Sequence, residues 1–391
     1  MHRNRRSRMR AGKPAARPGA GAIVMAALAL PGVCPNAAHA ESGADNGFVA
    51  FKYLYYQDSQ PGLKRVKVSS PAVLVSKPIG SEWLVEASAV TDAVSGATPR
   101  WQSSISSASV MSDRRNAGDV AVTRYFTRSS VSLSYGYSGE NDYVSNAAAL
   151  QGSWSTDDNN TTFNAGIGGA WDTINPTNGG QAGVSDQKRR VTEFMAGVTQ
   201  AVSANDLAQI NVGYTVGTGY YDDPYKTLDL RPASRRQFTV LARWNHFLEG
   251  DGSALRGSYR YYRDTFGVNA STLQGEWVKP VGDALTLTGL VRLYSQSAAN
   301  FYAPALYDPA GFPIFPDLQP GQHNSGDQRL AAFGALSLGL SAQYRLTPQW
   351  SVVGNVEAYE QRTSWRLGGQ GSTGLDPFRA YLVQVGASYR F

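Results

Sequence analysis

Charged residues in the second half of the chain alternate with apolar ones, a spacing that can select solutes. Successive side chains of a β-strand point to opposite faces, so such a charge lies away from its apolar neighbours. On the inner face of a wide barrel it contacts water and discriminates solutes by charge. The residues expected to line a pore are Arg243, Arg256, Arg260, Glu276, Arg292, Arg345, Glu357 and Arg390, with Lys52, Glu86, Glu193 and Gln274 on the same face.

Two interpretations of these inward charges stay open. The excess of arginine over acids in the last strands favours anionic or polar solutes. The alternative is that Arg292, Arg345 and Arg390 pair with Glu276 and Glu357 and only brace the wall.

A second set of candidates lies in segments predicted to be loops, which often carry function on a rigid scaffold. Residues 92–99 contain the turn signal Ser95-Gly96 and are expected either to fold into the mouth or to hold the rim. Asp222 and Asp223 offer two carboxylates, fewer than a dedicated Ca²⁺ site needs, so no metal is expected. The loop candidates are Asp92, Ser95, Gly96, Asp223, Tyr225 and Tyr302.

The histidines give little support for catalysis. Beyond residue 40 only His246 and His323 are present. His246 alternates with Phe238, Val240, Ala242 and Trp244, which predicts a lipid-facing position near a turn. His323 lies in a long loop, where it could meet Asp222 or Asp223 as the acid/base pair of a surface hydrolase. We expect no enzyme and no cofactor.

The elements that position these residues are repeated alternating segments of about ten residues, bounded by turns, which are typical of a membrane barrel. Leu336, Leu338 and Leu340 against Ser337 and Gly339 show the pattern clearly. Short turns, such as 347–349, alternate with longer connections at 363–378, 296–328, 221–235, 172–188 and 92–117. About sixteen strands are predicted, or fourteen at the least; the first ones are the least regular, because Pro71 interrupts 65–79.

The last strand, residues 380–391, carries a further signal. Tyr381, Val383, Val385, Tyr389 and Phe391 share one face, and the sequence ends on the aromatic ring. This ending resembles the C-terminal signal of Gram-negative outer-membrane barrels. Tyr389 and Phe391 are therefore expected to be recognised by the barrel insertion machinery.

Residues 1–40 have the features of a cleaved signal peptide: seven basic residues, a short apolar stretch and Ala38-His39-Ala40 before the cleavage point. The predicted barrel domain is 41–391. Removing the seven basic residues from the 36 of the chain leaves 29 against 30 acidic residues, so the charge gives no reason to expect nucleic-acid binding. Cys34, the single cysteine, leaves with the leader.

A soluble all-β sandwich is the competing fold, because it too needs an apolar stripe on each strand. The leader, the terminal Phe391, the alternation of short and long connections and the aromatic residues near strand ends favour a membrane barrel. We therefore predict an all-β, transmembrane, antiparallel up-and-down barrel.

Five local phrases resemble one bacterial family, domain of unknown function 3570. They occupy residues 92–99, 140–145, 223–226, 260–264 and 292–302, and the resemblance runs from about residue 51 to 391. The resemblance implies an outer-membrane barrel and brings no activity, because the family is uncharacterised.

The expected function is a porin-like channel or transport-related pore for small polar solutes. It would be integral to the Gram-negative outer membrane, in contact with its lipid, with both termini in the periplasm. The alternatives are a non-conducting barrel, plugged by 296–328 or 92–117, that anchors other components, and an outer-membrane surface hydrolase.

Overall fold

The computed structural model describes residues 46–97, 110–176, 183–226, 228–304, 306–307, 313–314 and 317–391. The predicted signal peptide, residues 1–40, lies outside the described residues. Among the helices of the described segments, none is long and apolar enough to cross a membrane.

Within the described residues, sixteen strands close into one antiparallel barrel. They are β1 (Phe48–Gln60), β2 (Leu63–Ile79), β3 (Trp83–Ala97), β4 (Val110–Phe126), β5 (Ser129–Gly139), β6 (Tyr143–Ser155), β7 (Thr161–Ile174), β8 (Gln187–Ala201), β9 (Asp206–Gly219), β10 (Ser234–Leu248), β11 (Ser253–Asp264), β12 (Asn269–Val281), β13 (Leu285–Gln296), β16 (Phe333–Arg345), β17 (Trp350–Arg362) and β18 (Phe378–Arg390). A separate two-stranded sheet, β14 (Leu306–Tyr307) and β15 (Pro313–Ile314), lies in the connection between β13 and β16. Two short 3₁₀ helices follow, at Gln328–Leu330 and Thr363–Trp365.

Each barrel strand pairs with the next barrel strand along the chain, so β13 pairs with β16. β18 closes the barrel on β1. The predicted fold class and strand number are confirmed. Short connections at 80–82, 127–128, 156–160, 202–205, 249–252, 282–284 and 346–349 gather at one end. The other end carries all the connections between barrel strands that are longer than five residues, together with three short ones at 61–62, 140–142 and 265–268. We call these the turn end and the loop end.

The period-two pattern of the strands explains why the barrel is apolar outside. On β5, Leu133 and Tyr135 are 61% and 52% exposed, while Ser132 and Ser134 alternate with them. Exposed large apolar side chains recur in this way around the barrel, including Phe163, Leu273 and Val385. In a lipid bilayer this surface contacts hydrocarbon, where closed barrels satisfy every backbone hydrogen bond.

One sequence-based prediction is wrong. Asp92, Ser95 and Gly96, expected in a loop over 92–117, belong to β3 and pair with Arg115, Ser112 and Met111 of β4. The β3–β4 ladder continues through the turn signal to Ala97↔Val110. Arg115 Nε also donates to Asp92 Oδ2 at 2.7 Å. The connection that is left, 98–109, lies outside the described residues.

Pro71 does not break β2, which runs unbroken through it. The pairing of β2 with β3 is interrupted between Ser69↔Ala93 and Ala72↔Val90 and resumes in the same register. The gap arises because proline has no N–H to donate to the ladder. It is local, because the register is the same on both sides.

The closing seam joins the two ends of the barrel domain. β1 pairs with β18 from Phe48↔Arg390 to Ser59↔Arg379. Phe391 N donates to Gly47 O at 2.9 Å. A Cβ at position 47 would lie 2.6 Å from the Phe391 ring, so a larger residue there would displace that ring.

Candidate functional site: a charged lumen beneath packed loops

The register places all eight pore-lining candidates on the face opposite the exposed apolar side chains. Arg243, for example, pairs with Gln209 and Ser258, whereas its neighbour Trp244 faces outward and is 46% exposed. Their role in solute passage stays a prediction.

The exposed charges of the lumen are mostly arginines. On the described parts of the barrel strands, six inward-facing charged side chains are exposed: Arg243, Arg256, Arg260, Arg345, Arg390 and Glu193. Among the described residues, the hydrogen-bond partner of Arg243 is neutral: Nη1 donates to Gln209 Oε1 at 3.1 Å. The lumen wall around β10 and β11 is therefore open to water and positive.

Four other side chains form a network across β12, β13 and β17. Arg292 donates from Nε to Gln274 Oε1 at 2.8 Å and from Nη1 to Glu357 Oε1 at 3.1 Å. Gln274 Nε2 donates in turn to Glu276 Oε1 at 2.7 Å. The bracing interpretation thus fits Arg292, whose partner Glu357 lies two strands away across β16.

The other expected pairs differ. Glu276 lies 3.8 Å from Arg256 Nη1, and its side chain is 8% exposed. Arg345 donates to the carbonyl of Asp283 in a turn. Neither Arg345 nor Arg390 forms an ion pair within the described residues, so they do not brace the wall through Glu276 or Glu357.

Arg345 and Arg390 border a cavity of about 670 Å³ at the turn end, lined also by Asp283, Gln343 and Ser388. Both arginines are exposed. The charged residues that line this cavity are two arginines and one aspartate.

The loop end is covered by connections that pack on one another. We call the described parts of 220–233, 265–268, 297–332 and 363–377 the loop cap. Its apolar centre is Phe266, Val268, Ala299 and Leu330, all nearly inaccessible. Phe266 meets Tyr221 and Phe301 edge to face, with centroids 5.7 and 5.0 Å apart.

A charged cluster in the loop cap centres on Asp327, which is fully buried. Its carboxylate lies 2.8 Å from Lys226 Nζ and 3.0 Å from Arg231 Nη2, and it accepts from Arg329 Nε at 2.8 Å. Burial opposes its ionisation, but Lys226 and Arg329 nonetheless hold the pKa of Asp327 well below its usual value.

Asp229 is the second buried carboxylate of the cluster. It lies 2.5 Å from Arg231 Nε and accepts from Ser325 Oγ at 2.8 Å. The antiparallel bridge Leu230↔Asn324 holds the two segments side by side. Buried charges are stable only when paired and hydrogen-bonded in this way.

The predicted loop residues Asp223, Tyr225 and Tyr302 do lie in the loop cap. Tyr225 is buried and donates from its hydroxyl to Asp142 Oδ2 at 2.5 Å. Tyr302 bridges to Ser325 and packs on the apolar centre. Asp223 lies 3.3 Å from Arg329 Nη2, so a cation of the chain already neutralises it. Among the described residues, no three side chains of metal-ligating type come together.

Sequence reasoning missed Asp142, Asp229, Arg231, Asp327 and Arg329. One available signal was the repeated spacing of an acid and an arginine two residues apart, in 229–231 and 327–329. The two copies meet in space and form the charged cluster.

The histidines occupy ordinary positions. His246 Nδ1 lies 2.8 Å from Asp206 Oδ1, and its ring stacks on Trp244 at the turn end. His323 lies edge-on to Phe301, with ring centroids 6.2 Å apart. It is near enough to Asp222 to favour the ionised form there, although burial raises the pKa of the Asp222 carboxyl overall.

A closed sixteen-strand antiparallel barrel with an apolar outer face and a charged interior defines an outer-membrane β-barrel protein. The chain belongs to the family described as "Protein of unknown function (DUF3570)", whose model matches residues 20–112 and 102–382. The resemblance found in the sequence is thereby confirmed.

Several solved structures are similar to the chain at low sequence identity. The "Bacterial polysaccharide outer membrane secretin" is 9% identical, covers 88% of this chain and 98% of its own, and has a TM-score of 0.48. OccD3 (OpdP) of Pseudomonas aeruginosa is 9% identical over 88% and 91%, with a TM-score of 0.44. A FadL homologue of the same species is 12% identical over 88% and 89%, with a TM-score of 0.41. No curated protein matched the chain.

Proposed function

We propose that the protein is a channel of the Gram-negative outer membrane for small polar solutes, with a preference for anions. The observation that supports this most strongly is the set of exposed inward charges, five arginines against Glu193 alone within the described strand residues. Fixed charges along a water-filled lumen select ions of opposite sign. A barrel of sixteen strands is wide enough for an aqueous channel.

The proposed orientation follows the lengths of the connections. Short turns face the periplasm and long loops face the exterior in barrels of this class, so the turn end and both termini are placed in the periplasm. Solutes would then leave past Arg345 and Arg390, through the cavity at the turn end.

The loop cap favours a second candidate, a plugged barrel that anchors other components. Its segments are joined through a fully buried Asp327 and a dense apolar centre, which are features of a fixed element. The hydrogen bond from Tyr225 to Asp142 also ties the β9–β10 connection to the β5–β6 connection across the mouth.

Planar-bilayer recording distinguishes the two candidates. The folded barrel is expected to carry ion current with a reversal potential on the anion side in a KCl gradient. The variant R243Q/R256Q/R260Q should shift that potential toward zero. A matched control, R190Q/R236Q/R263Q, removes three arginines from the outer face and should leave it unchanged.

The loop cap is tested with a loosened variant, D327A. Absence of current in both the native chain and D327A would reject the channel and favour the plugged barrel. Current with no anion preference, or a preference that the inner triple variant does not change, would reject selection by the lumen arginines.

A further inference from the structure

The outer face of the barrel carries a cluster of basic residues near the loop end. Lys188 and Arg190 on β8, Arg236 on β10 and Arg263 on β11 are all exposed. The register puts them on the lipid-facing side: Arg190 pairs with Trp171, and Arg263 pairs with Phe238. Trp171 and Phe238 are exposed apolar side chains of the outer face. We call these four residues the outer basic cluster.

The outer basic cluster has almost no acidic counterpart. The outward positions of β8 to β11 hold a single acid, Asp206, at the opposite end of the barrel, where it contacts His246. Lys188 lies 2.7 Å from Asp186, just before β8. Arg190, Arg236 and Arg263 have no ion pair with any residue that the structure describes.

Another part of the same rim shows that such arginines can be neutralised. On β17 and β18, the outward Arg362 and Arg379 share Glu360, which lies 2.7 Å from Arg362 Nε and 3.3 Å from Arg379 Nη2. Lys188 has Asp186 as its partner, but the three arginines of the outer basic cluster have no equivalent acid among the described residues, so their charge is available to a molecule outside the chain.

The spacing of the cluster suits a ligand with more than one anionic group. Strands lie about 4.8 Å apart with a rise of about 3.4 Å per residue. The register then separates the Cα atoms of Arg236 and Arg263 by about 8 Å and those of Arg190 and Arg236 by about 12 Å. Arginine side chains can close on phosphates across such gaps, since they bind phosphate with paired N–H groups.

Hydroxyl and amide groups of β11 and β12 lie on the same outward face as the arginines. Tyr261 donates to Asn269 at 3.2 Å, and Tyr259 lies 3.0 Å from the Ser271 hydroxyl, all on the outward face. Aromatic rings with polar tips at the edge of an apolar band occupy the headgroup level of a membrane. Hydroxyl and amide groups can both donate and accept, so they can also hydrogen-bond sugar hydroxyls.

We infer that the outer basic cluster binds the phosphorylated sugar headgroup of an outer-leaflet glycolipid of the lipid A class. The inference rests on the orientation given under the proposed function, because only that orientation places the cluster in the outer leaflet. Basic residues at a membrane surface attract anionic headgroups, and the apolar side chains below them contact the acyl chains.

The test is lipid binding by the folded full-length barrel in detergent, followed by native mass spectrometry. The probes are lipid A with two phosphates, the same lipid without phosphates, and phosphatidylglycerol. The native chain should prefer phosphorylated lipid A. The variant R190Q/R236Q/R263Q should bind it about a hundredfold more weakly, since each surface cation contributes roughly fivefold.

The inner triple variant R243Q/R256Q/R260Q removes the same number of charges from β10 and β11 and should bind lipid A like the native chain. Single variants such as R263Q, with an expected loss of about fivefold, keep the test valid if the triple variant folds poorly. Equal binding of all three lipids, equal binding of phosphatidylglycerol and lipid A, or equal losses in the inner and outer variants would overturn the inference.

Orientation is checked separately in intact cells by labelling S185C, beside the cluster, and A204C, in a turn at the other end, with a membrane-impermeant maleimide. Labelling of S185C alone supports an outer-leaflet cluster. Labelling of A204C alone overturns the glycolipid inference and the orientation, while leaving the conductance test of the channel unaffected.

Discussion

Tyr225 and Asp142 lie 83 residues apart in the sequence, and the hydroxyl of the first donates to the carboxylate of the second at 2.5 Å. Their connections are separated by the strands β6 to β9 around the wall. The bond therefore spans part of the mouth. It ties the loop cap to the β5–β6 connection, which is not adjacent to the loop cap in the sequence.

Tyr225→Phe is expected to loosen this attachment while keeping the ring. A lost hydrogen bond to a buried carboxylate costs about 1.5–3 kcal/mol, which would appear as faster hydrogen exchange in 220–233. Tyr214→Phe, on the exposed outer face, is the matched control and should change nothing. Equal exchange in the native chain and Tyr225→Phe would show that the bond does not hold the loop cap.

Asp327→Asn removes one charge and almost no volume. It leaves Lys226, Arg231 and Arg329 without their shared carboxylate, a change that costs about 3–5 kcal/mol at a buried pair. We expect limited proteolysis within 297–332 and more frequent opening in bilayer recordings. Asp317→Asn, an exposed acid of the same connection, should behave like the native chain. Unchanged proteolysis in Asp327→Asn would contradict a central role for Asp327.

The loop cap should resist mild acid. The pKa of Asp327 in the folded protein lies well below 3.8. As the pH drops from about 4 toward that pKa, the unfolded cap binds a proton at Asp327 that the folded cap does not bind, so the stability of the folded cap falls. Between pH 7 and 5, Asp327 stays ionised and its contribution is constant. The measurement is the rate of hydrogen exchange in 297–332 as a function of pH. Exchange that is already faster at pH 6 in the native chain, but not in Asp327→Asn, would refute the prediction.

Phe391→Ala tests the terminal ring in assembly. We expect less folded barrel in the outer membrane, measured by heat-modifiable mobility on gels, because the ring would be recognised by the insertion machinery and packs over Gly47. Val385→Ala also removes an outward apolar group from β18 and is expected to assemble normally. Equal yields of the two variants would argue against a special role for the last ring.

The Arg292–Glu357 pair allows a double-mutant cycle. Its side chains are 35% and 28% exposed, so water screens them and the coupling should be about 1 kcal/mol or less. Arg292→Met, Glu357→Gln and the double variant, unfolded in urea, give the value. A coupling far above 1 kcal/mol would show that the lumen is drier there than the exposure indicates.

Alternation and turn residues were sufficient to predict the barrel, because strand periodicity and connection length are local properties of the sequence. They misplaced Asp92, Ser95 and Gly96, where turn-forming residues are held in β3 by pairing with β4. Cross-strand partners override a local preference, and no local pattern reports them.

The loop cap was beyond prediction for a related reason. Tyr225 and Tyr302 are candidates in the sequence because they lie in predicted loops. Their partners Asp142 and Ser325 come from other segments. Asp327 finds Lys226 and Arg231 only after the connections fold over the mouth. The facing of Arg243 and Arg292, by contrast, depended on the strand period alone.

The seam between β1 and β18 has a consequence for biogenesis. One edge of β1 stays unpaired until β18 is in place beside it. Without β18, one edge of β1 and one edge of β17 would be unpaired, and unpaired strand edges promote aggregation. Closure of the barrel therefore depends on pairing between two strands that lie far apart in the sequence.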